Sequence, residues 1–234
     1  MLPRRGMLDT SITPTMAGVL CLAMFVLAGL GAWWGDGRGE EGTMQSMAWL
    51  YGSAMIAQVP ILLLYVKLSK KHSSRHILPI SCTTFVVFVP IALTVAALGH
   101  AVMVLAGMES PSNLGHETLK QLSGAQWGAS TWIVVACVTL GAGIFEEVMY
   151  RGLILPAFDA VIGGKTVWKA AIATSAFFAV MHIGAAQPSA IVGLFVLSLG
   201  LCWARVKSGG MIAPIVIHIV FNAMNIAFVY STHL

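Results

Sequence analysis

The sequence predicts an all-α fold, a polytopic transmembrane helix bundle of about seven spans. Three observations carry that reading. The chain is 58% hydrophobic and 9% charged, against ~45–50% apolar and ~25% charged in a soluble domain. Its mean hydropathy is +0.85. Its charges fall largely between apolar runs close to the ~20 residues that cross a bilayer core, and 234 residues accommodate about seven such runs. An ordinary soluble domain is excluded. The pI near 9.0 comes from charges spread over loops, which report membrane orientation, so nucleic acid is not an expected partner.

Arg4 and Arg5 precede an apolar run over residues 16–34. That run is longer than the ~7–15-residue core of a signal peptide. It ends in Trp33-Trp34, which suits an interface anchor, so it is an uncleaved first span. A short polar loop over 35–42 carries Asp36, Arg38, Glu40 and Glu41. The second span covers 44–66, with Pro60 tolerated inside it. A basic loop follows with Lys67, Lys70, Lys71 and Arg75 beside His72 and His76. The third span covers 80–105 and contains Pro90.

Residues 108–128 are the one long polar segment. Ser112 or Asn113 can cap a short interfacial helix with Leu114, Leu119 and Leu122 on one face, serving as a connector or as a lid. The fourth span starts near Ala129 and contains Glu146-Glu147. It either ends at Pro156 or continues past a kink to Gly163-Gly164. The fifth, sixth and seventh spans are expected over 167–185, 189–204 and 211–230. Residues 1–128 thus form an N-terminal unit of three spans plus connector, and 129–234 a catalytic core of four spans.

With alternating spans, Arg4, Arg5, Lys67, Lys70, Lys71, Arg75, Lys165, Lys169, Arg205 and Lys207 share one side of the membrane, and only Arg38 and Lys120 lie on the other. The positive-inside rule then places the N-terminus in the cytosol and the C-terminus outside. Cys21, Cys82, Cys137 and Cys202 have no paired spacing and are expected to be small buried residues. His72, His76, His100, His116 and His233 are expected to be solvated or interfacial. Trp49, Trp127, Trp132, Trp168 and Trp203 are expected as interface anchors.

The chemistry centres on residues 144–156. Ionisable groups at membrane depth cost roughly 2.5 kcal/mol or more each on insertion scales, and persist where they pair or act. Glu147 and Arg151, four apart, share a helix face and can form an ion pair. Glu146 points about 100° away, clear of the arginine. Two later spans add Phe178 with His182 and His218 with Asn222, again four apart in each case. Polar groups in lipid turn toward the bundle interior, so Glu146, His182, His218 and Asn222 are expected to converge. A carboxylate out of bulk water can serve as general base toward a water that His182 helps to hold. His218 and Asn222 offer donors for the oxyanion formed when water attacks a carbonyl.

Glu146-Glu147-x-x-x-Arg151, Phe178-x-x-x-His182 and His218-x-x-x-Asn222, in that order on successive spans, resemble the three motifs of the CPBP family. These are the CAAX prenyl proteases and bacteriocin-processing proteins, also called the Abi family. The resemblance covers roughly residues 130–230. It implies a glutamate-dependent intramembrane endopeptidase with no metal cofactor. In that resemblance Glu146 is the base that activates water and His182 shares that water. His218 and Asn222 stabilise the oxyanion, Glu147 and Arg151 are the structural pair, and Phe178 packs beside His182. It also implies a membrane-associated peptide or protein tail as substrate, among prenylated CAAX tails, double-glycine leaders, anchored sorting tails and peptide pheromones. The short chain suits a prokaryotic cell membrane.

Three alternatives stand beside it. Glu146, His182 and His218 are possible zinc ligands, although no His-Glu-x-x-His pair is present. The same groove can bind a peptide without cutting it, as a non-enzymatic immunity or regulatory partner. A proton-relaying transporter would be expected to show inverted repeats, and the sequence shows none.

Overall fold

The computed structural model describes residues 11–69, 76–110, 116–163 and 166–231. Arg4, Arg5, Lys70, Lys71, His72, Arg75, Ser112, Asn113, Leu114, Gly164, Lys165 and His233 lie outside those residues.

Six helices are long and apolar enough to cross a membrane: α1 (Pro14–Gly35), α2 (Met44–Leu68), α3 (Ile77–Leu105), α5 (Ala129–Ile162), α7 (Pro188–Ser208) and α8 (Ile212–Ser231). Two shorter helices complete the set among the described residues, α4 (Glu117–Ser123) and α6 (Trp168–Val180). The chain is an all-α integral membrane bundle. Thr13 and Thr43 cap α1 and α2 through their hydroxyls, meeting amide protons that the first turn leaves free. Pro60 and Pro90 sit inside α2 and α3.

Two expectations need correcting. The fifth span was expected over 167–185, but α6 stops at Val180 after 13 residues. That is about 20 Å, short of the ~30 Å hydrocarbon core. The amide protons of His182 and Ile183 turn back to Ala179 and Val180, and Gly184 at φ 92° supplies the left-handed position that ends the element. The sixth span is longer than expected and reaches Ser208, where Gly209 takes the left-handed cap.

The fourth span does not end at Pro156. It runs 34 residues to Ile162 and stops at Gly163, φ 67°. Two stretches of it are π-helical, Cys137–Gly141 and Val148–Ile154. In the second, Leu155 N–H donates five residues back to Tyr150. Such wide turns are one way a membrane helix accommodates a proline.

Small residues let the helices approach closely, as in other membrane bundles. A Cβ added at Gly193 of α7 would lie 2.8 Å from the Ala92 carbonyl oxygen of α3. Ser53 Oγ of α2 donates to the Gly31 carbonyl of α1 at 2.6 Å.

The bundle has two distinct ends. At one, Met47, Ala48 and Tyr51 of α2, Leu119 and Leu122 of α4, Val134 of α5 and Ile226 and Tyr230 of α8 pack together. Trp127 stacks on Tyr230 at 4.4 Å. At the other, Leu155 and Phe158 of α5, Val167 and Ala170 before and within α6, and Cys202 and Val206 of α7 form a separate cluster. The short helix foreseen in 108–128 is α4, with Leu119 and Leu122 on its packed face. Its cap is His116, whose Nδ1 accepts from Thr118 N–H at 3.2 Å. All four cysteines are free: Cys21 and Cys202 are buried, whereas Cys82 is exposed and Cys137 half-buried.

Candidate active site

The site is built around the middle of α5. Glu147 Oε1 accepts from Arg151 Nη1 at 2.8 Å, and both side chains are fully buried. The same Oε1 lies 2.7 Å from His218 Nδ1 on α8. Arg151 Nη2 donates to Ser198 Oγ at 2.7 Å and to the Ser198 carbonyl at 3.2 Å, which ties α5 to α7. The guanidinium lies 5.0 Å from the Phe178 ring centre. A buried charge is tolerable only when paired and hydrogen-bonded, and these contacts supply both.

Glu146 faces elsewhere, as the helical spacing predicts. Its side chain is 29% exposed and its Oε2 stands 4.0 Å from His182 Nε2. That is beyond hydrogen-bond distance. Glu146 Oε2 accepts no hydrogen bond from a described residue. His182 lies just past the end of α6 and is fixed by two contacts. Its Nδ1 is 2.8 Å from the Phe178 carbonyl oxygen, and its ring packs 4.4 Å from the Phe178 ring. A carbonyl only accepts, so Nδ1 carries a proton, and in the neutral ring Nε2 faces Glu146 as an acceptor.

Phe178, buried on α6, also meets Tyr150 edge-on at 4.9 Å and lies 6.3 Å from the His218 ring. It is thus the packing centre between the two histidines.

Asn222 sits on the face of α8 that carries His218. Its Nδ2 donates to the Val138 carbonyl at 2.9 Å. Val138 lies in the first π-helical stretch, where Ala142 N–H goes back to Cys137 and Thr139 and not to Val138. The amide of Asn222 therefore serves a carbonyl that the widened turn releases. One of its two protons is committed there.

The four expected positions and the structural pair thus come to one region, with Glu147 shared between Arg151 and His218. Among the described residues no set of three histidine, cysteine or carboxylate side chains is placed to hold a metal ion.

Sequence reasoning missed a second set of contacts flanking this region. Glu109, after α3, accepts from Ser189 N–H at 3.0 Å and Ser189 Oγ at 2.8 Å. Its Oε2 lies 2.7 Å from His100 Nδ1. It clasps the first turn of α7, immediately after the 182–187 turn that bears His182. A bridge between His116 and Ala186 holds the same turn. His100 and His116, expected to be solvated or interfacial, are both structural. The only sequence signal was a glutamate just past an apolar span.

Residues 128–224 match the family model described as Type II CAAX prenyl endopeptidase Rce1-like. An Escherichia coli protein described as an uncharacterized 24.3 kDa protein is 29% identical over 87 residues, a stretch covering 37% of this chain and 40% of that one. The chain therefore matches less than half the length of that relative. No solved structure matches. The matched segment holds Glu146, Glu147, Arg151, Phe178, His182, His218 and Asn222, and over residues 128–224 the chain is similar to the Rce1-like type II CAAX prenyl endopeptidases.

Proposed function

We propose that the protein is an intramembrane endopeptidase that cleaves a membrane-associated peptide or protein tail with a water activated by Glu146. The observation that carries this reading is the facing pair of Glu146 Oε2 and His182 Nε2, 4.0 Å apart. That separation suits a water held by both groups. Glu146 takes a proton from the water as its oxygen bonds to the scissile carbonyl carbon. The C–N bond then breaks, and the proton passes to the leaving amine.

The oxyanion is assigned to His218 and to the second amide proton of Asn222. Glu147 accepts from His218 Nδ1, so Nε2 donates when the ring carries both protons, and the net positive charge of Arg151 and His218 against one carboxylate favours the oxyanion. Arg151 holds Glu147 in place. No metal takes part in this scheme. The basic ends of the helices face the cytosol, with the N-terminus inside and the C-terminus outside.

The test compares wild type with Glu146→Gln in native membranes by mapping new peptide termini. Loss of a general base lowers the rate by about 100-fold or more, so termini made by the wild type are expected to vanish while protein level and fold persist. Cleavage is expected to survive strong chelation. Identical termini in a folded, abundant variant would replace the protease with a peptide-binding partner.

A further inference from the structure

The site is sealed on one side and open on the other. Toward the end of α5, residues 147–156 are all buried, covered by α1, Tyr65 and Phe178 and by the Leu155 cluster with α6 and α7. Between Leu140 and Glu146 the covering thins, although Thr139 and Gly143 are buried and Val134 packs nearer the start. Ala142, Ile144, Phe145 and Glu146 are half-buried and Leu140 is exposed. Because α6 ends at Val180, it leaves the space beyond His182 to a turn in which Met181, Ile183, Gly184 and Ala185 are exposed. His182 and Glu146 keep 16% and 29% of their side chains accessible. Polar groups accessible at membrane depth face a water-filled cavity, so this opening is the mouth.

The mouth lies at the end with the starts of α2, α5 and α7 and the ends of α3 and α8. The charge that flanks it in sequence is Asp36, Glu40, Glu41, Glu109 and Glu117, against Arg38 and Lys120. The sealed end adjoins Arg4, Arg5, Lys67, Lys70, Lys71, Arg75, Lys165, Lys169 and Lys207 in sequence. The basic end is the cytosolic one.

We infer that the mouth opens on the non-cytosolic face, and that the substrate is an anchored peptide tail presented there, after translocation, with its scissile bond entering past the 182–187 turn. The inference rests on the proteolytic reading for its substrate but not for its orientation. It separates this chain from enzymes that trim prenylated tails in the cytosol.

Ala185→Cys at the mouth and Lys207→Cys at the sealed end, each in a chain with Cys82→Ala and Cys137→Ala, are treated in intact cells with a membrane-impermeant maleimide. Ala185→Cys is expected to label in intact cells, and Lys207→Cys only after permeabilisation. The reverse pattern, or an Ala185→Cys that labels in neither state, overturns the inference. A lipid-anchored reporter peptide is then offered to right-side-out and inverted vesicles. Cleavage is expected in the right-side-out set alone and is expected to be lost with Glu146→Gln. Cleavage confined to inverted vesicles overturns the placement of the substrate. No cleavage on either side, with Ala185→Cys labelled from outside, overturns the proteolytic reading and leaves the orientation of the mouth standing.

Discussion

At the scale of single residues, the neighbouring glutamates divide their work by environment. Glu147 is fully buried between Arg151 and His218. Glu146 is partly open and faces His182 across a gap. Glu147→Gln would keep an acceptor for Arg151 but remove the negative charge that pairs with the buried guanidinium. Removing one member of a buried pair costs about 3–5 kcal/mol. Thermal unfolding in detergent is therefore expected to show a large loss of stability for Glu147→Gln and little change for Glu146→Gln, while both are expected to abolish the proposed cleavage. Equal stability of the two variants would contradict the structural assignment of Glu147.

At the scale of elements, the clasp on α7 is the joint that holds the His182 turn. Burial works against the Glu109 charge, but hydrogen bonds from His100 and Ser189 outweigh it and hold the carboxyl below its ordinary value. A carboxyl lowered on folding stabilises the fold above its unfolded value, roughly pH 4.3, and that contribution is lost as pH falls through the lower folded value. The wild type is thus expected to lose stability on acidification below about pH 4.3, and Glu109→Gln to show a smaller loss over the same window. Unfolding midpoints measured from pH 7 down to pH 3 check this, with parallel curves counting against the clasp.

At the scale of the whole molecule, the sequence made most of the bundle legible, because charge exclusion from lipid marks span ends directly. Helical spacing was enough to pair Glu147 with Arg151 and to turn Glu146 away. It did not show that α6 is short, since the apolar run continues through Met181 and Ile183 after the helix has ended. Gly184 and Pro188 were the local signs of that stop. Nor did it show that His218 serves Glu147, or that Asn222 serves Val138, because side-chain contacts between helices have no signature in spacing along either one. The partner of Arg151 on α7, Ser198, left no trace for the same reason.

The two widened stretches of α5 carry a consequence for angular phase. A π-turn holds roughly one more residue than the α-turn it replaces, so each stretch offsets the azimuth of everything beyond it by about 100°. Between Cys137 and Gly141 that offset falls just before Glu146 and is pinned by Asn222. Deleting Val138 would let the helix relax to ordinary turns and rotate the two glutamates relative to α8. The deletion is expected to yield a membrane-inserted, helical protein by circular dichroism that cleaves nothing. An additional alanine inserted at the same place in that variant should return the carboxylates to their bearing and recover part of the activity.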